Sequence, residues 1–256
     1  MQNLKSIIKG NGLFYTAAVL SFIILSIIVF LFPLEFSSYR NSDKLAPFWY
    51  GVTLSGGTYG AVIIFLSLMT YLWFHFKNSK KQLQSVFIFL GVIVCIQILL
   101  SVSTLYLFKD YFRTPRPSQL YITEKGFSGR STQEFFTMPP EEKNRFLRET
   151  IGENRIEFED IYPPILENWA SESGYAFPSG HSQTAFFLGT IISFILFKIH
   201  TGRYYFIIPL VWAILVAVSR VITGVHFSVD VAAGAFTGLV IALIIVSVKK
   251  FRVLFD

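Results

Sequence analysis

Three short segments in the second half of the chain carry residues that could do chemistry together. Lys109 precedes Arg116-Pro117, then comes Pro178-Ser179-Gly180-His181, then Ser219-Arg220 followed by His226 and Asp230. As patterns they read K-x6-R-P, P-S-G-H and S-R-x5-H-x3-D. Three fixed cations, two imidazoles, a carboxylate and a Ser-Gly turn suit a site that binds a tetrahedral oxyanion, attacks it and protonates what leaves. The charges of Lys109, Arg116 and Arg220 would act where a metal otherwise would. The two guanidinium forks match phosphate oxygens and steady charge that builds on them in the transition state.

The remaining pieces divide the work. Gly180 sits where an apolar run begins, so free amides of a helix start would favour an anion there. Glycine lets the backbone come close, and Ser179 adds a hydroxyl donor. His226 and Asp230 share one helix face if the helix of the sixth apolar run starts early. A carboxylate on one imidazole nitrogen fixes the tautomer and frees the other nitrogen to attack. His181 comes from a different segment and is free to act as general acid. The spacing does not say which histidine attacks. Each piece alone has a plainer reading: a turn before a helix, basic anchors flanking membrane spans, a helix-start pair. All three in this order, each at the edge of an apolar run, make coincidence improbable.

These residues must be positioned by very apolar elements. The chain has 256 residues, 53% hydrophobic and 15% charged, with a mean hydropathy of +0.54. That suits a polytopic membrane protein. The net charge of +6 does not point to nucleic acid, because the basic residues lie between apolar runs and no nucleic-acid motif is present. One cysteine, Cys95, excludes an intrachain disulfide and lies inside an apolar run. No Cys/His/Asp cluster has metal-ligand spacing, so no metal or other cofactor is expected. His75 and His200 sit at span ends far from the motifs and read as interfacial residues. Gly234 and Gly238 form a G-x-x-x-G suited to close helix packing.

Six apolar runs are long enough, or nearly so, to span a bilayer: residues 13–32, 58–76, 86–108, 182–199, 204–222 and 229–248. They read as helices, since backbone groups in lipid must bond internally. The fourth is short and is expected to extend back toward Ser179. The first is too long for a signal peptide and reads as a retained span. Lys5, Lys9, Lys77, Lys80, Lys81, Lys198, Arg203, Lys249, Lys250 and Arg252 fall on one side, and Arg40, Lys44 and Arg220 on the other. The positive-inside rule then puts both termini in the cytoplasm and all three motifs outside.

The polar stretch 109–181 is too long for a bare loop. Pro139-Pro140 opens one expected helix, with Phe146, Leu147 and Ile151 on one side and Gly152 as its stop. Pro163-Pro164 opens another, with Ile165, Leu166 and Trp169 apolar, ending at Gly174. The expectation is an all-α fold: a single six-helix transmembrane domain over 1–256, with residues 109–181 forming a small helical extracytoplasmic cap between spans three and four.

The three motifs resemble those of the type 2 phosphatidic acid phosphatase (PAP2) superfamily, with no departure at the named positions. Within it, the six spans, the long insert and the stretch from Trp169 to His181 are similar to the bacterial phosphatidylglycerophosphatases. The resemblance implies a metal-free lipid phosphatase in the bacterial inner membrane. His226 would form a phosphohistidine, His181 would protonate the leaving oxygen and Asp230 would orient His226. Lys109, Arg116, Ser179, Gly180 and Arg220 would bind phosphate. Implied substrates are phosphatidylglycerol phosphate, undecaprenyl diphosphate and phosphatidic acid, entering from the bilayer. Nothing calls for an obligate protein partner. A lipid phosphotransferase would use the same site. A vanadium haloperoxidase shares the motifs but is soluble. A transporter would want ionisable residues at midplane, and Gln97 and Ser101 are too mild to mark a path.

Overall fold

The computed structural model describes residues 4–32, 34, 44–127, 129–200, 203–252 and 254–255, with backbone alone for 4–10 and 140. Arg40, one of the residues in the topology count, lies outside them. The described elements are helical. Leu4–Leu31 (α1) is followed by Ala46–Gly56 (α2), Thr58–Phe76 (α3) and Lys80–Ser103 (α4). Five residues in π form, Thr104–Phe108, lead into Lys109–Phe112 (α5). Pro117–Glu124 (α6), Thr132–Thr137 (α7), Pro140–Glu153 (α8) and Pro163–Ser171 (α9) follow. Gly180–Ile199 (α10), Ile207–Ile222 (α11), Ser228–Ser247 (α12) and the short Lys249–Arg252 (α13) complete the order.

Six helical stretches are long and apolar enough to cross a membrane, matching the six runs expected. The fourth does extend back, with Ser179 as its N-cap. Burial separates two groups. The spans at 180–199, 204–222 and 228–247 are 67%, 61% and 50% buried, against 17% and 22% for those at 58–76 and 80–124. So α10, α11 and α12 form the core, with Phe186, Phe187, Phe194, Ala213, Ala217, Ala235 and Ala242 fully buried. The third and fourth helices instead expose Val62, Ile63, Leu66, Ile88, Ile98 and Leu99. Such an outward apolar face is stable in hydrocarbon and not in water.

Two glycines set the tightest crossing. A Cβ at Gly234 would collide with the Ser179 carbonyl, and one at Gly238 with the Gln183 carbonyl. The G-x-x-x-G therefore lets α12 press its backbone onto α10. Ser179 N–H then donates to the Asp230 carbonyl at 3.0 Å, which pins the starts of both helices together.

The stretch between α5 and α10 has its own core of Ile122, Phe135, Leu147, Phe158, Ile165, Trp169 and Ala170. Val225, from the turn between α11 and α12, joins that core. Trp169 Nε1 donates to the Thr223 carbonyl at 2.7 Å, seating α9 on the same turn. Both Pro-opened helices form, but α9 stops at Ser171 instead of reaching Gly174. The helices α2, α6 and α7 were not legible in the apolar pattern.

Candidate active site

Each motif residue is placed by local chain chemistry. Arg113 takes a left-handed conformation (φ 47°) and ends α5. Pro117 opens α6 and disfavours helix at the residue before it, so Arg116 is extended (φ −83°, ψ 152°). Its backbone N–H is received by Gln119 Oε1 at 2.9 Å. The R-P pair thus turns one side chain inward at a helix start. At the other end, Gly224 (φ +73°) ends the α11 turn, and both Val225 and His226 donate their amides to the Arg220 carbonyl. His226 and Arg220 are therefore fixed relative to one another by backbone.

The expected shared helix face is not how His226 and Asp230 meet. The helix α12 begins at Ser228 with Phe227 as N-cap, so His226 lies before it. Asp230, in the first turn, accepts the Phe227 amide on Oδ2 at 2.8 Å, and His226 Nδ1 stands 3.4 Å from that oxygen. The contact forms because the capping turn folds the chain back, not through helical periodicity. His226 Nδ1 lacks hydrogen-bond geometry to any described residue.

Four side chains converge on one seat. Arg116 Nη1 donates to the Val225 carbonyl at 2.9 Å and lies 3.2 Å from His226 Nε2. Arg116 Nε donates to the Gly174 carbonyl at 2.9 Å. Arg116, Arg220, His226 and Asp230 are all buried. Between the guanidiniums lies a residue from outside the three motifs. Glu172 accepts from Arg116 Nη1 at 2.7 Å and also pairs with Arg220 Nη2. Burial opposes ionisation of Glu172, but Arg220 and Arg116 outweigh it and hold the carboxyl well below its ordinary range. The one available signal was a single acidic residue between Trp169 and Phe177, just before the P-S-G-H motif, too slight to read without the fold.

His226 is pushed the other way. Burial, then Arg116, Arg220 and Lys109, depress its pKa well below the ordinary imidazole value. It is held neutral, with a lone pair available.

Of the remaining motif residues, Gly180, His181 and Lys109 line a groove and Ser179 lies buried just before it. Ser179 Oγ accepts from Ser182 N and Ser182 Oγ, at 3.4 and 2.9 Å, leaving its own proton to donate. The first α10 amides, of Gly180 and His181, have no partner within the helix, and a Cβ at Gly180 would meet nothing within 4 Å. Gly180, His181 and Lys109 line one end of a cavity of about 660 Å³ that runs between α3, α4 and α10. Ala61, Phe65, Ile93 and Leu188 are among its other walls. Lys109 reaches it directly after the π segment, a one-residue insertion that shifts helical register. Thr104, in that segment, donates to Gln183 Oε1 at 2.8 Å and fixes α4 against α10. His200 lies at the far end of α10 and bonds Tyr71, away from the cluster. Cys95 is exposed on α4.

The architecture is that of a multi-pass membrane protein with an arginine-lined anion seat beside two imidazoles. The chain belongs to the PAP2 superfamily, whose profile matches residues 86–253. It is 28% identical over 236 residues to a phosphatidylglycerophosphatase B of Haemophilus influenzae, covering 88% of this chain and 92% of that one. It is 34% identical over 119 residues to the Bacillus subtilis protein of that name, covering 43% and 54% of the two chains. Against the Escherichia coli protein the identity is 24% over 185 residues, covering 72% and 68%.

Proposed function

We propose that this chain is a lipid phosphatase that works through a phosphohistidine at His226, without metal, on a phosphomonoester or diphosphate of a membrane lipid. The observation that carries the reading is the meeting of groove and seat. An apolar cavity of about 660 Å³, walled by lipid-compatible side chains, ends at His181, Gly180 and Lys109. His181 lines it and His226 does not. A lipid lying in that groove would present its ester oxygen to His181 and its phosphorus to His226.

The steps follow from that placement. The Arg116 and Arg220 forks, Lys109, the Ser179 hydroxyl and the Gly180 and His181 amides hold the phosphoryl oxygens. The Nε2 lone pair of His226 forms a bond to phosphorus while the bond to the leaving oxygen breaks. His181 passes its proton to that oxygen, and the lipid product leaves along the groove. Water then attacks phosphorus, gives its proton to His181, and the P–N bond breaks to release inorganic phosphate and restore His226. Before any of this the Glu172 carboxylate must leave the arginines. Its backbone is held by Asn168 and Gln119, so the side chain alone has to swing.

By the charge asymmetry of the short loops, the site and the insert above it face away from the cytoplasm and both termini lie within it. With the bacterial names of the relatives, this supports an inner-membrane enzyme acting on the outer leaflet. Phosphate release from phosphatidylglycerol phosphate, undecaprenyl diphosphate, phosphatidic acid and a lipid A phosphate, measured on purified protein, tests the reading and ranks the substrates. Transfer of label to an acceptor lipid, with no free phosphate, would replace it with a phosphotransferase.

A further inference from the structure

The turn between α2 and α3 approaches the catalytic cluster from the groove side. Gly57, its hinge residue, lines the same cavity as His181. A Cβ built on Gly57 would stand 3.2 Å from His181 Nε2 and 3.9 Å from Cδ2, so this edge of the ring faces Gly57. A group that receives a proton from Nε2 must itself come within roughly 2.6–3.2 Å of it. On this side of the ring, a side chain at position 57 and the leaving oxygen with its first substituent would compete for one volume.

We infer that Gly57 sets how bulky the atom joined to the leaving oxygen can be, and so is the residue that admits lipid diphosphates beside lipid phosphomonoesters. The inference rests on the lipid-phosphatase reading above. In a monoester the leaving oxygen carries a slim methylene. In a diphosphate it carries a tetrahedral phosphorus with three further oxygens, two non-bridging and one joined to the lipid, which needs the space that glycine leaves.

The position is suited to a clean substitution. Gly57 has φ −75° and ψ 178°, extended backbone that alanine adopts without strain. Its other near neighbour, the Leu54 carbonyl, would lie 3.3 Å from the new methyl, close but not colliding. By contrast, Gly56 and Gly60 are packed too tightly to take one. Gly51, in α2, has nothing within 4 Å and serves as the control.

The test compares kcat/KM for a prenyl diphosphate and the prenyl monophosphate of the same chain length, in wild type, Gly57→Ala and Gly51→Ala. The ratio of the two substrates within one preparation does not depend on the folded fraction. Gly57→Ala should lower the diphosphate-to-monophosphate ratio by about tenfold, a size in keeping with overfilling a packed site. Gly51→Ala should leave the ratio at the wild-type value. If the methyl instead acted by pushing His181 off the leaving oxygen, the ratio would rise, because the monoester has the poorer leaving group. A rise or an unchanged ratio would overturn the inference while leaving the phosphatase reading intact. Wild-type protein that releases phosphate from no lipid in the panel would overturn the reading and the inference with it.

Discussion

Arg116 Nη1 lies 3.2 Å from His226 Nε2, and the guanidinium can only donate. That contact favours the tautomer with Nε2 bare and the ring proton on Nδ1, on the side of Asp230. The nitrogen that faces the anion seat is the one with the lone pair. That preference rests on a contact between residues 110 positions apart in the chain.

The same contact fixes a pH dependence. Burial and the neighbouring cations depress the pKa of His226 below its ordinary 6.5. The neutral form thus persists as pH falls through that value, and the acid limb of kcat/KM that belongs to His226 should lie below it. Arg116→Gln removes one of the depressing charges, so that limb should move up toward the ordinary value as overall activity drops. A wild-type limb at or above 6.5, unmoved in Arg116→Gln, would contradict the neutral-nucleophile assignment. Stability has the same sign: the native state prefers neutral His226, so its contribution is complete above the ordinary value and is lost as pH falls below it.

Glu172 occupies the seat that phosphate would need. Glu172→Gln removes the competing anion, so orthovanadate should inhibit roughly tenfold more strongly, about 1.4 kcal/mol of binding. The cost is two buried guanidiniums without a charged partner, so thermal stability should fall. Vanadate inhibition unchanged or weaker in Glu172→Gln, measured against wild type, would show that the carboxylate is not a competitor.

How far such a site can be read from sequence differs by residue. The seven motif positions from Arg116 to Asp230 (Arg116, Ser179, Gly180, His181, Arg220, His226 and Asp230) stand out because their types are unusual beside apolar runs. Span lengths are set by hydrocarbon thickness, so those were legible too. Glu172 was not, because its meaning arises only when α9 docks on Thr223 and brings it to arginines 56 and 48 positions away. Nor was the π segment, since one inserted residue leaves apolarity unchanged while it shifts the register that leads into Lys109. Asp230 and His226 looked like helix neighbours by spacing, yet meet through an N-terminal cap.

The two histidines should fail differently. His226→Ala should abolish turnover and never hold phosphate on protein. His181→Ala should lose roughly 100- to 10,000-fold toward lipid substrates, the usual scale for a general acid. It should recover part of that loss with a leaving group acidic enough to depart unprotonated. Equal losses for good and poor leaving groups in His181→Ala would remove it as the acid.

Orientation is open to direct labelling. In a Cys95→Ala background, cysteine at Ser131, exposed beside α7, should react with a membrane-impermeant maleimide in intact spheroplasts. Cysteine at Ser79, the N-cap of α4, should react only after the membrane is opened. The reverse pattern would put the chemistry in the cytoplasm.

In the proposed reaction, phosphate passes through His226. The most direct measurement is a single turnover with lipid labelled at the terminal phosphate, quenched in alkali, where phosphohistidine survives, followed by peptide mapping. Label should appear on His226 before free phosphate, unaffected by EDTA and absent in His226→Ala. Full-rate release of phosphate with no labelled protein, or label on another residue, would contradict it.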